Sequence, residues 1–188
     1  MPTKSSQSGF ALLLSIIISS VVLAIGLTLL SVALKQLNLS AVSRESEVAF
    51  QVANIGLECS RYWRYELRDD FTQVTPEPTA GSLTIDCGGV ANRVPAVDQD
   101  TVSGITINNA EYEFNINING EDRCLHTFTH VLINESGYDL TDYPVGRIET
   151  DCEKGAVCTV VVSQGHNREC AGLDSDLFAV QRELTAEF

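Results

Sequence analysis

The sequence predicts an α+β protein in which one long N-terminal α-helix, its first half transmembrane, packs on an antiparallel β-sheet. Three observations predict it. Phe10 to Leu34 contains no charged residue. From Lys35 to Leu67 the apolar residues narrow to one helical stripe, with no proline and with Gly56 as the only glycine. Beyond Asp70 the pattern changes to short strands separated by turn residues, and a run of strands after a single helix is the order of an α+β fold. Four segments follow: a leader at 1–9, an apolar helix at 10–34, its amphipathic second half at 35–68, and a β-rich domain at 69–188.

The apolar segment exceeds the roughly 20 residues needed to cross a hydrocarbon core of about 30 Å. At 1.5 Å per residue it makes a helix of about 38 Å, long enough to cross with some tilt. A plain membrane anchor has the same composition. A secretory signal peptide has an apolar region of only about 7–15 residues before its cleavage site. Ser31-Val32-Ala33 imitates such a site but lies inside the continuing helical pattern.

In the second half, Val48, Val52, Ile55, Cys59 and Tyr62 recur at spacings of three and four, one stripe on a helix. Arg44, Glu45, Glu47, Arg61, Arg64 and Arg68 fall mostly elsewhere, as solvent-facing residues do. Ala49, Ala53 and Gly56 are small enough to let the helix approach strands closely. The expected helix therefore runs from Phe10 to about Leu67, far longer than the usual 11–12 residues or so, which calls for a membrane or coiled-coil cause.

Residues 71–81, rich in Pro and Thr, read as a surface loop. Strands are expected at Ser82–Cys87, Gly104–Ile107, Glu111–Ile118, Cys124–Asn134, Val145–Cys152, Val157–Gln164 and Phe178–Phe188. Glu111–Ile118 alternates polar and apolar residues, the period of a half-buried strand. Asn119-Gly120 is a hairpin turn signal, and Glu153-Lys154-Gly155 separates two strand candidates as a hairpin loop does.

The chain has a formal net charge of −13, and loss of Lys4 with the leader takes the side-chain total to −14. Such a surface repels nucleic-acid phosphates and anionic headgroups. No direct nucleic-acid partner and no small-molecule substrate is expected. The six cysteines, Cys59, Cys87, Cys124, Cys152, Cys158 and Cys170, all lie beyond the apolar run. An even number after an export segment reads as disulfides formed outside the cytoplasm. Pairing is open: Cys152 with Cys158 would staple a hairpin, Cys59 with Cys87 would lock helix to sheet, and Cys124 with Cys170 would remain.

Catalytic and metal signals are thin. No Cys-x-x-Cys occurs, so no metal centre and no cofactor is expected. His126 and His130 lie four apart, on one face of a strand, but without the glutamate of a zinc-protease motif. Asp69-Asp70 and Asp174-Ser175-Asp176 offer oxygens to calcium, yet are too sparse for a calcium loop and read as solvated turns. Asn38-Leu39-Ser40 and Asn134-Glu135-Ser136 match the N-glycosylation triplet, a pattern frequent by chance. The protein is expected not to be an enzyme.

The junction Ser8-Gly9-Phe10, a polar leader meeting a long apolar helix at glycine, resembles the class III leader of the type IV pilin and pseudopilin superfamily. Alanine-to-tryptophan residues 49–63 (AFQVANIGLECSRYW), the VCTVVVSQGHN run from Val157 and the terminal VQRELTAEF are similar to the helix–sheet and strand-rich parts of such proteins. The resemblance implies a pilin-like fold, cleavage after Gly9 by a prepilin peptidase, N-methylation of Phe10, and assembly with other pilin subunits through the apolar helix. It also implies storage in the bacterial inner membrane as a single-pass protein with its C-terminal domain extracytoplasmic, and display at the cell surface in a pilus. One departure is specific. Most major pilins carry glutamate at the fifth mature residue, where this chain has Leu14. That absence points to a minor or tip subunit. A second reading, a membrane-tethered extracellular binding or adhesive domain outside any filament, shares the helix and the cysteines.

Overall fold

Helix α1 runs unbroken from Ser8 to Glu66 in the computed structural model, which describes residues 8–102, 104–145, 148–173 and 179–188. The chain divides into two compact units, Met1–Arg44 and Glu45–Phe188. In the first unit every side chain from Phe10 to Arg44 is exposed within the chain itself. Residues 1–7, within the expected leader at 1–9, lie outside the described residues.

The second unit joins residues 45–66 of α1 and a four-residue helix α2 (Arg68–Phe71) to nine strands. These are β1 (Ile85–Cys87), β2 (Val90–Arg93), β3 (Ala96–Val102), β4 (Ile105–Ile118), β5 (Glu121–Asn134), β6 (Leu140–Val145), β7 (Ile148–Cys152), β8 (Val157–His166) and β9 (Gln181–Glu187). The main sheet is antiparallel in the order β3-β4-β5-β8-β9, with β1-β2 and β6-β7 as separate two-stranded ribbons. The expected α+β architecture, a long N-terminal helix with antiparallel sheets, is what the chain adopts.

The β4-β5 hairpin turns at Asn119 and Gly120, whose φ values of 55° and 87° give the two positive dihedrals that a type I′ turn requires. The Asn117 carboxamide oxygen accepts from the Gly120 N–H at 3.1 Å and closes the turn. Period-two alternation then lays one face of the sheet against the helix. Ala110, Tyr112, Phe114 and Ile116 of β4, with Leu125 and Val131 of β5, share one apolar cluster with Val52 of α1, Phe71 and Leu83. The opposite face carries a second cluster, in which Ile105, Leu132, Val160 and Val162 meet Leu140, Val145 and Cys152 of the β6-β7 ribbon.

Several expectations need correction. The face that α1 turns to the sheet is a row of small residues, with Ala49, Val52, Ala53, Gly56 and Ser60 buried. Of the expected stripe, Val52 is buried and Ile55 and Cys59 pack against the core, whereas Tyr62 is 57% exposed. Arg64 is buried rather than solvent-facing, with 7% exposure, and its Nε donates to Thr159 Oγ1 at 3.0 Å. Gly104–Ile107 and Glu111–Ile118 belong to one strand, β4, since Asn108 between them is buried and donates to the Phe71 and Gln73 carbonyls at 2.7 and 2.8 Å. Glu153-Lys154-Gly155 does not close a hairpin: β7 pairs with β6 and β8 with β5, so this loop connects two different sheets. Phe71, placed by sequence in a loop, ends α2 and is buried.

Candidate functional site

The segment Phe10–Leu34 supplies 25 consecutive uncharged residues, all helical. Phe10 is 74% exposed, Leu14 49% and Leu29 66%, so apolar surface continues around and along the helix. Soluble monomers rarely expose contiguous apolar patches beyond a few hundred Å². Three of the five hydroxyls within the segment bond back to the helix itself. Ser20 donates to the Ile17 carbonyl, Thr28 to Ile25 and Ser31 to Thr28, each at 2.8 Å. Such back-bonding leaves few polar groups asking for water, as a low-dielectric setting demands. Among the described residues, this is the one helix long and apolar enough to cross a membrane.

The second unit is held to its part of α1 by contacts that tolerate little change. A methyl on Gly56 would come within 3.0 Å of Leu125, Thr127 and Ser163 side-chain atoms. One on Gly165 of β8 would strike the backbone of Ala49 and Ala53. The Ser163 hydroxyl donates to the Ala53 carbonyl at 2.7 Å, and Arg182 Nε donates to Ser46 Oγ at 2.7 Å.

The cysteines form three bridges: Cys59–Cys87, Cys124–Cys170 and Cys152–Cys158. The first ties α1 to β1, where the Trp63 indole also donates to the Asp86 carbonyl at 2.7 Å. The second ties β5 to the segment that follows β8. The third spans the loop between the β6-β7 ribbon and the main sheet. Next to it stands Asn134, 1% exposed, whose amide donates to the carbonyls of Tyr138, Cys152 and Glu153 at 3.3, 3.1 and 3.0 Å. Its triplet is thus structural, with the side chain turned inward.

The histidines assort differently from the sequence expectation. His130 Nδ1 contacts Asn109 Oδ1 at 2.7 Å, and burial lowers its pKa below the ordinary 6.5. His126 instead meets His166 of β8, with ring centres 5.9 Å apart, and Glu113 of β4 at 3.0 Å. Burial, then the neighbouring His126, lowers the pKa of His166. The one grouping of metal-ligating types among the described residues is Cys124, His126 and Cys170, and its two sulfurs are bonded to each other. A disulfide offers no thiolate to a metal. Asp70 accepts from Gln73 Nε2 at 3.3 Å in the turn after α2, while Asp174-Ser175-Asp176 lies outside the described residues.

Sequence reasoning missed one concentration of side chains. Arg61, Arg64 and Arg68 line a single groove with Tyr62, Tyr65 and Phe188. The spacing of three and four between the arginines was the signal, obscured by reading each as an ordinary solvated charge. Comparison with known proteins returns no matching family model, no matching curated protein and no matching solved structure.

Proposed function

We propose that this chain is a non-enzymatic structural subunit, of minor or tip type, in a type IV pilus or a type II secretion pseudopilus. The observation that carries the reading is the uncharged helix 10–34, exposed on all sides and continuous in α1 with the residues that pack on a disulfide-bonded sheet. Before assembly the apolar segment is dissolved in the bacterial inner membrane, with the β-rich domain extracytoplasmic, where its cysteines oxidise. A prepilin peptidase cuts after Gly9, and Phe10 becomes the N-methylated mature terminus. The helix then exchanges lipid for the helices of other pilin subunits, and the domain is carried to the cell surface.

Leu14 supports the minor or tip assignment. A carboxylate in the bilayer costs on the order of 2.5–3.5 kcal/mol by insertion scales, so it is retained where it has a partner. Leucine inserts without that cost and offers no charge to a neighbouring subunit.

N-terminal mass spectrometry of the membrane form tests the reading. The expected mature terminus is N-methyl-Phe10. An unprocessed terminus at Met1 or Pro2 would favour a membrane-tethered domain outside any filament. Gly9→Leu is expected to leave the leader uncut.

A further inference from the structure

Where α1 passes the start of β8 and the residue after β9, an open groove of about 640 Å³ lies between them. That volume falls in the range of about 300–1,000 Å³ typical of small-molecule sites. Three of the chain's twelve basic residues, Arg61, Arg64 and Arg68, stand in its walls, although the protein carries a net charge of −13. Arg61 pairs with Glu58 at 3.3 Å, both of them exposed. Arg64 makes no ion pair among the described residues. Its side chain is packed over the Phe71 ring, 5.8 Å from the ring centre, and held by Thr159. A buried guanidinium without a counter-charge is costly in a domain, and it stabilises an anion that reaches it.

The remaining walls are Tyr62, Tyr65 and Phe188, with Val157, Thr159 and the Glu58 carboxylate, so three cations face one anion in the groove. Tyr65 is 78% exposed, Tyr62 57% and Phe188 50%, with Arg61 5.9 Å from the centre of the Phe188 ring. Large rings left this open beside fixed cations offer flat apolar area to a ligand.

We propose that this groove binds a monocarboxylate carried on a ring-sized apolar body. The guanidinium fork matches carboxylate and phosphate alike. Shape decides between them, because flat aromatic walls suit a planar carboxylate continuous with a ring better than a tetrahedral phosphate. The aromatic walls require the apolar body. All the groups involved lie in residues 45–188, so the inference stands independently of the filament reading.

The test is calorimetric titration of the full chain in uncharged detergent micelles, with benzoate, benzyl alcohol and inorganic phosphate as probes and empty micelles as the blank. Benzoate is expected to bind at least about tenfold more tightly than either other probe, the ratio that one well-made charged contact supplies. Arg61→Gln with Arg68→Gln, both at exposed positions, is expected to weaken benzoate by about tenfold while the unfolding midpoint stays unchanged. Arg64→Lys keeps the charge and loses the fork, and should also weaken benzoate. Equal affinity for benzoate and benzyl alcohol would overturn the proposal, since apolar contact would then suffice. Tighter binding of phosphate, or undiminished binding by the double variant, would overturn it as well.

Discussion

Gly165 and Gly56 set how closely α1 can lie on the sheet, and neither is required there by a turn. At Gly165 the atoms a methyl would meet belong to the backbone of Ala49 and Ala53, which cannot rotate away. At Gly56 they belong to side chains with some freedom to move. Overpacking typically costs about 1–3 kcal/mol. Gly165→Ala is therefore expected to destabilise the β-rich unit by about 3 kcal/mol or more, and Gly56→Ala by less, in urea unfolding of the chain in micelles. The reverse order would show that the helix shifts as a body. His166 makes a separate prediction. Its folded pKa is depressed by burial and by His126, whereas in the unfolded chain it titrates near the ordinary 6.5. Below that pH the unfolded state binds more protons, so stability falls as pH falls; above it the contribution is complete. Burial of His130 acts in the same direction. Unfolding free energy measured from pH 7 to pH 5 should decline less steeply in His166→Gln than in the parent chain; identical slopes would contradict this.

The secondary-structure elements show what patterning conveys and what it hides. β4 and β5 were legible where apolar and polar residues alternate, as in Glu111–Ile118, and the Asn119-Gly120 turn sets their register. β3 (Ala96–Val102) was not, because its sequence AVDQDTV is mostly polar, as befits an edge strand whose aspartates discourage further pairing. β6, not expected from the sequence, carries Pro144, which cannot donate to a ladder and is tolerated in a two-stranded ribbon. The disulfides staple these elements over different chain lengths, with sequence separations of 46 for Cys124–Cys170, 28 for Cys59–Cys87 and 6 for Cys152–Cys158. In the chain-entropy account the longer loop is the more stabilising. Replacing each pair by alanine should destabilise in that order, the shortest loop by about 1 kcal/mol less than Cys59–Cys87. Thermal unfolding of the three double variants checks it, and a largest effect at Cys152–Cys158 would point to a role beyond entropy.

At the scale of the whole molecule, the two units solve different problems of solvation. Residues 45–188 bury two apolar clusters, one on each side of a five-stranded sheet. Residues 10–34 bury nothing within the chain, and their apolar surface needs lipid or other helices. On the proposed function, deleting the gene should leave filaments whose bulk is another subunit, seen by electron microscopy, while filament number or display changes. Loss of the principal component of the filament would refute the minor or tip assignment. The sequence by itself determined the apolar helix, its amphipathic continuation and the strand-rich remainder, because these follow from local composition and periodicity. The tertiary structure decided which cysteines pair, which face of α1 meets the sheet, that His126 meets His166 rather than His130, and that Arg64 is buried among aromatic residues. Each of these depends on residues far apart in sequence being brought together, and no local pattern encodes such a meeting.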